Sequence, residues 1–101
     1  MADFQLCPKF ERAIHLLGKR WTGLILWTLL SGPKRFSEIE SAIPVSGRLL
    51  SERLKELESE GLVTREVFPE VPVRVVYSLT PKGQAMEPIL AAVQQWAEDW
   101  G

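Results

Sequence analysis

The sequence predicts a single, mostly helical α+β domain. Apolar residues recur at three- and four-residue spacing through the first half of the chain. Between residues 62 and 79 the spacing changes to two, and from Pro81 onward it is helical again. With 101 residues and 46% apolar composition, one core can form without a disulfide or a metal. The lone cysteine permits no internal bridge and points to a reducing compartment. No apolar run approaches the ~20 residues of a bilayer-spanning helix. No basic start leads into an apolar stretch and a cleavage site. The expectation is a soluble, cytoplasmic chain without a membrane partner, in which residues 1–101 are one domain.

Each element has a local reason. From Pro8, the residues Phe10, Ile14, Leu17 and Trp21 mark an amphipathic helix with proline in its first turn, stopped by Gly18. WTGLILWTLLSG reads as a second, largely buried helix ending at Gly32–Pro33, with Trp21 and Trp27 in the core. A short helix starts at Phe36–Ser37, capped by Ser37, with Ile39 and Ile43 inward and Pro44 at its end. Ser46 is a favourable N-cap for a fourth helix over 46–60, and Gly61 supplies the left-handed residue after it. LVTREVF and VRVVYSL, separated by PEVP, form a hairpin over 62–79. Within it Val71, Val73 and Val75 alternate with Pro72 and Arg74, as in a half-buried strand. Thr80 and Pro81 open a last helix over 81–100, whose apolar set is Met86, Ile89, Leu90, Val93, Trp96 and Trp100. Pro88 should kink or divide it. Two helices joined by a short turn and followed by a hairpin make a winged helix-turn-helix.

That fold directs attention to charge. The total is −1, but between Lys9 and Lys55 nine basic residues face four acidic ones, a local +5. Phosphate responds to the local field, so double-stranded DNA is a credible partner despite the total. On the fourth helix Leu50, Leu54 and Leu57 share one face at 100° per residue, and Arg48, Ser51, Glu52 and Lys55 fall opposite. The N-terminal half of a recognition helix enters the major groove, so Ser46, Gly47, Arg48 and Ser51 should lead. Arginine pairs with guanine through two hydrogen bonds, and lysine takes phosphate or guanine. Gly47 would let the backbone approach a phosphate at the helix's positive end. Arg53, to the side of the leucine stripe, is expected to bridge to a glutamate. Arg74, with Arg65 as a weaker candidate, would serve the wing, and Lys34 and Arg35 would hold the backbone on the other side.

The stretch LGKRWTGLILWTLLSGPKRFSEIESAIPVSGRLLSERLKELESEGLV, followed by VYSLTPKG and a tryptophan-ended helix, resembles the HxlR-type transcription regulators, winged-helix relatives of the MarR group. The resemblance covers nearly the whole chain through GKRW, GPKRF, LSERLKEL, GLV and LTPKG in order. It implies a homodimer on inverted-repeat operators, with the terminal helices packed across the two-fold axis. Phe10, Ile14, Ile89, Val93, Trp96 and Trp100 would then form the contact. The opening Cys7-Pro8-Lys9 is similar to the thiol-sensing, YodB- and CatR-like branch. There the equivalent cysteine answers quinones, diamide-type oxidants or other electrophiles. Some members of that branch pair it with a cysteine near the C-terminus. This chain ends AEDWG and departs from that pattern. Repression is carried over by analogy.

Local chemistry gives Cys7 two readings. At the start of a helix, with Lys9 and Arg12 close behind, the thiolate that acts as nucleophile is favoured. A small hydrophobic residue that happens to begin a helix would look the same. If reactive, one thiol per chain allows an alkylated adduct, a sulfenic acid, a mixed disulfide or a Cys7–Cys7 bridge between two chains. No enzyme is expected. Cys7 and His15 lie eight residues apart, roughly 12 Å along a helix. No glycine-rich phosphate loop or metal-spaced ligand cluster occurs, so neither cofactor nor metal is expected. Two alternatives stay open: a winged helix used only for protein contact, and a regulator with a tryptophan-lined effector pocket and an unreactive Cys7.

Overall fold

The computed structural model describes residues 6–101. In chain order the elements are α1 (Pro8–Gly18), α2 (Thr22–Leu29), β1 (Lys34–Arg35), α3 (Phe36–Ala42), α4 (Gly47–Ser59), β2 (Val63–Phe68), β3 (Arg74–Leu79), α5 (Pro81–Gln84) and α6 (Glu87–Trp100). The core is built by Ile25, Leu26 and Leu29 of α2, Ile39 of α3, and Leu50, Leu54 and Leu57 of α4. Leu62, Val63, Tyr77 and Leu90 close it.

Local chemistry explains the boundaries. Ser46 Oγ accepts the Leu49 N–H at 3.2 Å and starts α4. At its other end Gly61 takes φ 78°, while Gly61 and Leu62 N–H donate to the carbonyls of Glu58 (3.0 Å) and Leu57 (2.9 Å). These two bonds form a complete glycine-terminated helix end. Thr80 Oγ1 accepts from Gly83 N–H at 3.1 Å and donates to the Gly61 carbonyl at 2.6 Å, so the start of α5 is tied to the end of α4. As expected, the last helical segment is divided, with Pro88 in the first turn of α6.

Several expectations need correction. The wing hairpin is present as β2 and β3, and the sequence missed only β1, which makes it a three-stranded antiparallel sheet in the order β1-β3-β2. β1 pairs Lys34 with Tyr77 and Arg35 with Val76. Ser37 does not cap α3. The N-cap is Arg35, whose N–H donates to Glu38 Oε1 at 2.8 Å. Val71 and Val73 lie in the exposed turn between β2 and β3, so they do not continue the alternation. Trp27 is not core; it stands half-exposed beside Leu24. Trp21 packs against the core from a left-handed conformation (φ 79°) that breaks the chain between α1 and α2. Its ring also lies 4.6 Å from the Arg20 guanidinium.

α1 buries no residue, and residues 91–100 of α6 are all exposed, in a body 60 Å long and 29 Å across. Both terminal helices therefore carry apolar faces that the chain itself does not cover.

Candidate nucleic-acid interface

α4 is held by one face. Leu50, Leu54 and Leu57 are 0–1% exposed, so the opposite face is fixed in direction by packing. Arg48 projects from that face, its side chain 91% exposed and 3.8 Å from Glu52 one turn later. An exposed pair at that distance contributes little and leaves the guanidinium free to exchange partners. Lys55 and Glu52 are exposed beside it, while Ser51 is half-buried. Gly47 lies under the end of an exposed, flexible side chain that could swing aside. A Cβ there would stand 2.8 Å from Glu40 Oε2, with the Phe36 ring at 3.9 Å. The space above this first helical residue is thus occupied by a carboxylate from α3, a contact the sequence did not reveal.

Arg53 behaves as expected, bridging rather than facing outward. Its Nη1 donates to Glu56 Oε1 at 3.0 Å and its Nε to the Arg20 carbonyl at 3.0 Å. Lys19 Nζ donates to the other Glu56 oxygen at 2.6 Å. The Lys19 hydrogen bond is the main cause holding the Glu56 carboxyl below its ordinary value. Burial opposes it, and Arg53 adds to the lowering. A carboxylate with a lowered pKa stabilises the fold above its unfolded value, and that contribution is lost as pH falls through the folded one. Taken from neutrality to below the ordinary carboxylate range, the wild type should therefore lose more Tm than Glu56→Gln. Equal losses in parallel thermal melts would show that the bridge carries no linkage.

The basic residues around α4 are less uniform than the sequence suggested. Lys34 and Arg35 are consecutive in β1, so their side chains leave opposite faces of the sheet. Lys34 shares the face of buried Tyr77, and Arg35 shares the face of Val76. Their two charges therefore project from different faces. Arg74, opposite Phe68 at the wing tip, is already engaged. Its guanidinium lies 4.2 Å from the Phe68 ring, and Nη2 donates to Glu70 Oε1 at 3.1 Å. Its Nε is buried without a partner among the described residues. Arg65 is exposed and opposite Tyr77.

Cys7 is the N-cap residue of α1, with extended backbone, no side-chain cap bond and an exposed thiol. Phe10 and Ile14 follow on α1, exposed by 60% and 53%. On α6 Ile89, Val93, Trp96 and Trp100 are exposed as well. Leu24 and Trp27 of α2 extend this apolar surface, which sequence periodicity missed. With Gly23, Leu90, Val93 and Ala97 they line a groove of about 350 Å³. His15 is exposed and lines a different groove, between α1 and α4. Among the described residues there is no cluster of side chains suited to a metal and no helix long and apolar enough to cross a membrane.

A helix-turn-helix whose second helix turns an arginine outward, followed by a paired wing, defines a winged helix-turn-helix DNA-binding protein. The chain belongs to the HxlR-like helix-turn-helix family, whose profile matches residues 16–101. It is 57% identical over 101 residues to the HTH-type transcriptional regulator YvaP of Bacillus subtilis, covering 99% of this chain and 94% of that one. The reduced form of the transcriptional regulator YodB from the same organism superposes with a TM-score of 0.85 at 52% identity, covering 95% of each chain. The quinone-bound YodB structure gives 0.83 at 48% identity, covering 94% of this chain and 100% of that one. The fold class and family read from the motifs are thus borne out. The chain is an HTH-type transcription regulator and not an enzyme.

Proposed function

We propose that this regulator is a homodimeric repressor of an inverted-repeat operator, released when a quinone, another electrophile or an oxidant modifies Cys7. The observation that carries the reading is the placement of an exposed thiol at the head of α1, on the same helix as the uncovered Phe10 and Ile14. In this reading Phe10 and Ile14 pack with Ile89, Val93, Trp96 and Trp100 across the two-fold axis. Ser46, Gly47, Arg48, Ser51, Glu52 and Lys55 enter the major groove. Lys34 takes flanking phosphate from one face of the sheet, and Arg35 and Arg74 from the other. The quinone-bound state of a relative with 48% identity supports the electrophile as ligand class.

The chemistry is compact. The Cys7 thiolate adds to an electron-poor quinone carbon and forms a C–S bond, and the ring becomes the hydroquinone after proton uptake. The adduct adds bulk beside Phe10, so α1 shifts and the two recognition helices lose their separation. Cys7→Ser should bind operator duplex within about twofold of wild type and stay bound when quinone is added. Gel shifts alongside mass spectrometry of the quinone-treated chains test this. Release of the serine variant at wild-type quinone concentrations would exclude the thiol. Binding that does not weaken with salt would exclude a phosphate-dominated DNA interface.

A further inference from the structure

α1 rests on the core through Leu16 and Leu17, and a polar bracket ties its end to α4. Between them runs an open groove of about 770 Å³, walled by Glu11, Arg12 and His15 on one side and Lys55, Ser59 and Glu60 on the other. Among the described residues, the side-chain hydrogen bonds joining the end of α1 to α4 all pass through Glu56 or Arg53. Glu56 uses both oxygens, one for Lys19 (2.6 Å) and one for Arg53 (3.0 Å), and Arg53 reaches on to the Arg20 carbonyl. The side chains of Lys19, Glu56 and Arg53 are 33%, 34% and 18% exposed, against 91% for Arg48. Partial burial and two separate anchor points oppose both sliding and rotation of α4, which a single surface pair does not.

We infer that Glu56 is the positioning residue that locks the recognition helix to α1, and that it thereby sets the half-site spacing the protein accepts. The inference rests on the dimeric reading above, in which α1 lies at the two-fold axis. A helix fixed to α1 is then fixed relative to its symmetry mate. Adding or removing one base pair between half-sites moves them by about 3.4 Å and turns them by roughly 34°. A rigid bracket cannot follow that change; a loosened one can. Glu56 touches no DNA in this scheme. The leucine face fixes which way Arg48, Ser51 and Lys55 point within the domain, and Glu56 acts through the angle and distance between α4 and α1.

The test uses the full chain and a duplex selected from a random-sequence library, with its central spacer then shortened or lengthened by one base pair. Wild type should prefer the selected spacer by about tenfold or more. Glu56→Gln should bind the selected duplex somewhat more weakly but retain less than about threefold preference, because the altered spacers lose less. Lys19→Gln, which keeps the bridge within α4, should also flatten the profile and serves if Glu56→Gln does not fold. Glu58→Gln, on the same helix outside the bracket, should match wild type. Unchanged spacing ratios in both bracket variants, or a uniform loss on every spacer, overturn the inference. A wild type without spacing preference would instead overturn the dimeric reading, and the inference with it.

Discussion

Val93→Asp is expected to yield a folded monomer whose operator affinity is at least about a hundredfold lower, roughly 2.7 kcal/mol. In the single chain Val93 is 60% exposed at the edge of the α2–α6 groove, so the new carboxylate is hydrated and costs the fold at most about 0.5 kcal/mol. In a symmetric dimer the substitution occurs twice. Each buried, unpaired carboxylate then loses several kcal/mol of hydration. A monomer must hold one half-site alone, without the second half-site's effective concentration. Light scattering reads the mass and a gel shift reads the affinity. A dimer with wild-type affinity would remove α6 from the proposed contact.

The second large effect concerns the fold itself. Gly83→Ala should destabilise the chain by about 3 kcal/mol, a fall of roughly 12–24 °C in Tm. A Cβ at this buried position would collide with the backbone carbonyl oxygen of Leu62 and stand 3.1 Å from Leu79 Cδ2. Rotating a side chain cannot relieve the first collision. The Leu62 carbonyl accepts the Thr80 N–H at 3.0 Å, so displacing it also strains the junction of α4, β2 and α5. Gly18→Ala is the control, since nothing lies within 4 Å of its Cβ position. There the added methyl should be neutral or stabilising by up to about 1 kcal/mol. Equal melting curves for the two variants would mean the Leu62 contact yields freely.

What could be read from the sequence was what short-range rules determine. The cap at Ser46, the glycine end at Gly61, the leucine face of α4, Thr80–Pro81 and the division near Pro88 are all decided within a few residues. Arg53 and Glu56 lie one turn apart, so their bridge was legible too. β1 was not, because a two-residue strand has no periodicity and exists only through its pairing with β3. Trp27 was misplaced because an apolar helix does not disclose which stripe its own domain covers. Lys19 and Glu56 meet across 37 residues, and Glu40 reaches Gly47 across the helix-turn-helix corner. The proposed site was therefore visible as a set of residue types, while its mechanical connections were not.

The wing carries its own counter-charge. Arg74 already has a carboxylate, Glu70, at 3.1 Å and an aromatic ring beneath it, so any phosphate it meets must share the guanidinium with an internal anion or displace it. Either way the phosphate meets a charge already partly neutralised and gains less than it would from a bare cation. The contact also expels fewer small ions from the duplex atmosphere than a count of arginines implies. In the proposed complex this arm would hold the duplex less firmly, and let go more readily, than a cation with no close carboxylate of its own.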